Sequence, residues 1–83
     1  MKKTKVHHLK TWIEYFEEIF MDRKKFEVRK NDRDYKVGDF LIIKEFDNDK
    51  QKYTGREMAR VITYVLHGGQ FGIEKDYVVL SIG

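Results

Sequence analysis

Only one stretch of this sequence repeats its apolar residues at helical spacing. Trp12, Tyr15, Phe16, Ile19 and Phe20 recur at i, i+3, i+4, i+7 and i+8, which on a turn of about 3.6 residues makes one broad apolar stripe. Glu14, Glu17 and Glu18 fall mostly off that stripe. Thr11 followed three residues later by Glu14 is a capping-box pattern, in which hydroxyl and carboxylate each satisfy an orphaned backbone N–H of a first helical turn. Acidic residues early in the run and Arg23, Lys24 and Lys25 after it follow the order that the helix dipole favours. The pattern predicts one helix over residues 11–22, packed by its aromatic face, with Trp12 in the core.

The other apolar residues fall in strand-length runs. Phe26-Glu27-Val28-Arg29-Lys30 alternates, which predicts a half-buried strand with Phe26 and Val28 inward and Glu27 and Arg29 on the opposite face. Asn31 to Asp34 and Gly38-Asp39 favour turns. Phe40 to Phe46 is the next strand, and Asp47 to Lys52 a polar hairpin loop. Arg56 to Leu66 is a long strand whose inner half is apolar on both faces, as a central strand is. Gly68 to Gly72 is a loop, Tyr77 to Ile82 a last strand, and Val6 to Leu9 a short first one. The order is β-α-β-β-β-β. We expect an α+β domain in which mostly antiparallel strands curl into a small barrel, since closure removes exposed edges.

A chain of 83 residues has room for one such domain, spanning 1–83. It contains no cysteine, which excludes disulfide staples, cysteine zinc sites and a thiol nucleophile. Its twelve aromatic residues (one Trp, five Tyr, six Phe) must therefore supply much of the core. No apolar run approaches a bilayer-spanning length, and Met1-Lys2-Lys3-Thr4-Lys5 leads into Val6-His7-His8 rather than an apolar leader, so the expected location is the cytoplasm.

Net charge is +3 but unevenly spread: residues 1–36 carry eleven Lys/Arg against seven Asp/Glu (+4), and 37–83 six against seven (−1). Met21 to Lys36 alone holds seven basic and four acidic side chains. Such a window attracts phosphates, and equally suits a solvated face of paired charges. Within it, an Arg fork can bind a phosphate or a base edge, Asn31 can read a base edge, and a lysine among cations suits nucleophilic or base chemistry. Tyr35 and Tyr53 offer stacking platforms. Arg56 and Glu57 follow Gly55, which permits close backbone approach or marks a strand-entry bulge.

Other chemistries find weaker patterns. His7 and His8 are adjacent and point to opposite sides of a strand, and His67 is remote, so no metal is expected. The glycines at 68–72 lack the Lys-Ser or Lys-Thr and the helix of a P-loop, and read as a turn. Ser81 is the sole serine, which leaves no visible catalytic triad.

His8-Leu9-Lys10, Lys24 to Arg33 (KKFEVRKNDR), Val37-Gly38-Asp39, Tyr53-Thr54-Gly55-Arg56-Glu57, Phe71-Gly72-Ile73 and Tyr77 to Leu80 together resemble the small bacterial and phage proteins of the ASCH type, within the PUA-like superfamily. The resemblance spans nearly the whole chain. It implies a β-barrel with a helix after the first strand, a cleft beside that helix, and a role in binding RNA. Lys24, Glu27 and Arg29 match the motif that lines the cleft, and Asn31, Asp32 and Arg33 match a string of the subgroup. Some ASCH-type relatives resemble amidohydrolases of acylated cytidine that use a lysine, a threonine three residues on and a distal glutamate, and others resemble ribonucleases. Lys24 matches that lysine, but Glu27 stands in place of the threonine.

The expectation is a cofactor-free, monomeric RNA- or nucleotide-binding domain. Lys24, Lys25, Lys30 and Arg33 attract phosphates, Arg29, Asn31 and Arg56 line the cleft, and Glu27, Asp32, Tyr53 and Glu57 support it. One alternative is a small hydrolase of a modified nucleoside or RNA, with Lys24 as base or nucleophile and Glu27 as proton shuttle. Another is a protein-interaction or phage accessory domain.

Overall fold

The computed structural model describes residues 3–83; Met1 and Lys2, which open the segment read as lacking a leader, lie outside the described residues. The elements run β1 (Val6–Trp12), α1 (Ile13–Phe20), β2 (Phe26–Lys30), β3 (Phe40–Asp47), β4 (Lys52–His67) and β5 (Tyr77–Ile82). Their order in the chain is the expected one. They form a five-stranded sheet, β1-β3-β4-β5-β2, with β4 at its centre.

The sheet is mixed and open, which overturns the expected barrel. β1 pairs with β3 in parallel, β3 with β4, β4 with β5 and β5 with β2 antiparallel, and no ladder joins β1 to β2 among the described residues. The two strands that flank the helix therefore become the two edges. Inward positions of β1, β3 and β5 are Leu9, Leu41, Ile43, Val78, Leu80 and Ile82, which pack with Phe16, Ile19, Tyr35 and Ile62.

Three local expectations are corrected. Strand β1 runs on to Trp12, so Thr11 is buried within it and α1 starts at Ile13 with no side-chain cap. Parallel pairing with β3 continues through Thr11↔Glu45 and Trp12↔Phe46, and those ladder bonds outcompete a cap that needs Thr11 free. Of the apolar stripe only Phe16 and Ile19 are buried, and Trp12 is 44% exposed. Strand β2 presents the opposite face to the core: Glu27 is 4% exposed, while Phe26 and Val28 face out. Its register sets Glu27 beside Leu80 and Arg29 beside Val78, the inward residues of β5.

β4 carries a bulge around Gly55. Between the pairs Lys44↔Glu57 and Phe46↔Tyr53, three β4 residues stand against Glu45 alone. Gly55 has φ +96°, and a Cβ there would meet open space, so conformation and not close approach calls for glycine. In the 68–72 loop the Gly68 and Gly69 amides donate to the carbonyls of Tyr77 and Ile73, which leaves a turn and no phosphate cradle.

Candidate functional site

The open side of the sheet is closed by side chains. Arg29 on β2 reaches across to β1, where its Nη2 donates to the Lys10 carbonyl (3.0 Å) and the Thr11 hydroxyl (3.2 Å). Arg33 donates to the His8 carbonyl. His8 and Lys10 lie two apart on an edge strand, so their outward carbonyls have no ladder partner, and the two guanidinium groups supply one.

Glu27 organises this seam. Its Oε2 accepts from Arg29 Nε (3.0 Å) and meets Nη2 at 2.9 Å, and its Oε1 accepts from Lys24 Nζ (2.6 Å). Lys24 also donates to the Phe26 carbonyl at 2.6 Å and lies 4.7 Å above the Phe26 ring. A buried carboxylate is tolerable only when paired in this way, and here both oxygens face cations.

Beside the seam lies a cavity of about 500 Å³ lined by Lys10, Thr11, Trp12, Tyr15, Lys24, Glu27, Val28 and Arg29. Trp12 and Tyr15, half exposed, stack with centroids 6.3 Å apart and planes inclined by 22°. The cavity thus joins an aromatic wall to a cation–carboxylate–cation clamp.

The structure brings Lys24, Glu27 and Arg29 together, keeps Arg33 on the same seam outside the cavity lining, and disperses the other expected residues. Lys25 pairs with Asp22 on the surface, and Lys30 is exposed at the end of β2. Asn31, Asp32 and Arg33 are exposed beyond β2, the Asn31 amide bonding the Asp76 carbonyl and Arg33 lying 3.8 Å from Asp32. Arg56 lies instead over Phe16 and Phe20, between Glu17 (3.4 Å) and buried Glu45 (3.6 Å). Tyr53 packs edge-on against Phe46, and exposed Glu57 stands opposite Lys44.

Lys10, Thr11, Trp12, Tyr15 and Val28 also line the cavity; the sequence pattern gives Lys10 no role and points to a cap for Thr11 and to core positions for Trp12, Tyr15 and Val28. A usable signal was the chemistry of the stripe's flank: Trp and Tyr carry a polar tip that favours a rim, where one end is wet. A second polar group, His7 with Asp39, was not visible in the sequence pattern. His7 Nε2 lies 2.8 Å from Asp39 Oδ2, both buried, and the Lys5 and Lys36 amides donate to the same carboxylate. Burial alone would raise the Asp39 carboxyl, but the His7 contact and the two amides outweigh it and hold it below its ordinary value. Tyr35 packs on His7 at 4.7 Å, and burial raises its phenol although Arg33 and Arg29 oppose the shift. No three His, Asp or Glu side chains among the described residues group to hold a metal ion. No helix among them is long and apolar enough to cross a membrane.

The family described as "Domain of unknown function (DUF3850)" matches residues 6–82. The chain is also similar to the "Uncharacterized 12.9 kDa protein in GpA 3'region" of Escherichia phage P2, at 36% identity over 76 residues. That match takes in 92% of this chain and 66% of the relative, just under two thirds of its length.

Proposed function

The chain belongs to the DUF3850 family, and we propose that it binds single-stranded RNA by taking an unpaired base into the cavity at the β1–β2 seam. The observation that carries this reading is the exposed Trp12–Tyr15 wall sharing one cavity with the Lys24–Glu27–Arg29 clamp. Aromatic faces accept any base by stacking, while cations beside them meet phosphates or base edges. A relation to ASCH-type proteins, resting on Lys24, Glu27 and Arg29, belongs to the same proposal and points to the same class of ligand.

The hydrolase alternative draws less support from the geometry. Lys24 Nζ already donates to Glu27 and to a carbonyl, and both Glu27 oxygens accept from cations. A nucleophile or proton shuttle needs a free lone pair or an exchangeable proton aimed at substrate.

Trp12 is the only tryptophan, so its fluorescence reports on the cavity directly. Titration with short single-stranded RNAs should quench it saturably, with affinity falling as salt rises from about 50 to 200 mM. Tyr15→Ala, a surface change that keeps the reporter, should weaken binding about tenfold or more. Single-stranded DNA binding equally well would move the ligand away from RNA. No saturable response to any nucleic acid, with capture of a protein partner instead, would overturn the proposal.

A further inference from the structure

We infer that the occupant is an oligonucleotide and not a single nucleotide, because Tyr53 with Lys44 and Lys10 forms a second stacking subsite across the sheet from the cavity. This rests on the reading of the seam cavity as a base site. The β1–β3 register sets Trp12 beside Phe46, and the β3–β4 register sets Phe46 beside Tyr53, so buried Phe46 stands between two exposed aromatic residues in one row across the strands. Adjacent strands lie about 4.8 Å apart, which puts the Tyr53 backbone roughly 10 Å from that of Trp12, near three stacked nucleotide steps of about 3.4 Å.

The bulge decides which way Tyr53 points. Thr54, its neighbour, turns to donate to buried Glu45 at 2.6 Å, and Tyr53 on the alternate face remains 52% exposed. Phe46 holds the Tyr53 ring edge-on at 5.1 Å. Lysines interleave the rings: Lys10 Nζ lies 4.5 Å over Phe46, and Lys44 Nζ 5.5 Å over Tyr53. Lys10 also lines the cavity, so one residue borders both subsites. Alternating rings and cations match a strand of bases joined by phosphates better than they match one nucleotide.

The test is affinity against length for oligouridylates of about one to six nucleotides, followed by Trp12 quenching and by anisotropy of labelled RNA. For the wild type, affinity should rise about tenfold between one nucleotide and four, then level off. Tyr53→Ala should abolish most of that rise and leave mononucleotide quenching of Trp12 unchanged, and Tyr53→Phe should keep the rise because the ring and not the hydroxyl stacks. A rise that survives Tyr53→Ala, or equal binding at every length, overturns the second subsite while the cavity reading stands. Silence of Trp12 at every length overturns both.

Discussion

At Glu27 the chain places a carboxylate on the inward face of a strand whose outward neighbours are Phe26 and Val28. The alternation of that strand was legible in the sequence, but a period of two does not say which set faces in. The choice depends on Lys24, Arg29 and the carbonyls of β1, partners that meet only once the sheet has curled. Removing the carboxylate leaves two cations with unmet hydrogen bonds, so Glu27→Ala should lower stability by about 2–4 kcal/mol. The check is a lower urea midpoint at unchanged m-value, and the combined Lys24→Met, Glu27→Leu variant should recover only part of the loss, since Arg29 keeps its bonds to the Lys10 carbonyl and the Thr11 hydroxyl while its Nε loses its partner. Asp39 gives the same lesson in its pH dependence. Its folded carboxyl lies below the ordinary value near 3.9, so its contribution is complete above about pH 4 and disappears as pH falls through the lowered folded value. The stability gap between wild type and Asp39→Asn should therefore narrow below about pH 4, and a gap constant down to pH 2 would remove Asp39 from the acid response.

Among the elements, the strands are more legible in the sequence than the helix is. Strands β2, β3 and β5 lie within a residue of where alternation and turn residues put them, because both signals are local. The start of the helix moved because Thr11 answers to a strand 34 positions away, Glu45 on β3, which no capping pattern can register. Loops and bulges show the same split between local and distant causes. Gly55 answers to its own backbone: a side chain there has space but an unfavourable φ, and Gly55→Ala should cost about 1–2 kcal/mol. Gly68 answers to a distant segment, since a Cβ would sit 1.8 Å from the Glu74 carbonyl oxygen and 2.6 Å from that of Tyr77. Gly68→Ala must displace the backbone of the β4–β5 connection. Thermal unfolding should therefore place Gly68→Ala well below Gly55→Ala, and the reverse order would show that the connection yields easily.

Across the whole molecule, the decisive feature is that β1 crosses to pair in parallel with β3 while β2 pairs with β5, leaving β1 and β2 as edges. Sequence patterns favoured hairpin neighbours, and a parallel pairing over two intervening elements leaves no local trace. The open seam is also what turns a charged strand into a candidate site: a closed ladder would have used the carbonyls of His8 and Lys10 that Arg29 and Arg33 now take. If side chains hold the edges together, replacing the fork of Arg29 with a point charge should loosen β1 alone. Arg29→Lys keeps the cation beside Glu27 but cannot reach that carboxylate, the Lys10 carbonyl and the Thr11 hydroxyl at once. Losing about 1–2 kcal/mol of local hydrogen bonding should speed amide exchange along the β1–β3 ladder about tenfold. The amides between β4 and β5, on the other side of the central strand, should keep their protection. Uniform acceleration through both ladders would mean that Arg29 stabilises the domain as a whole, and unchanged β1 exchange would mean that β3 alone holds that edge.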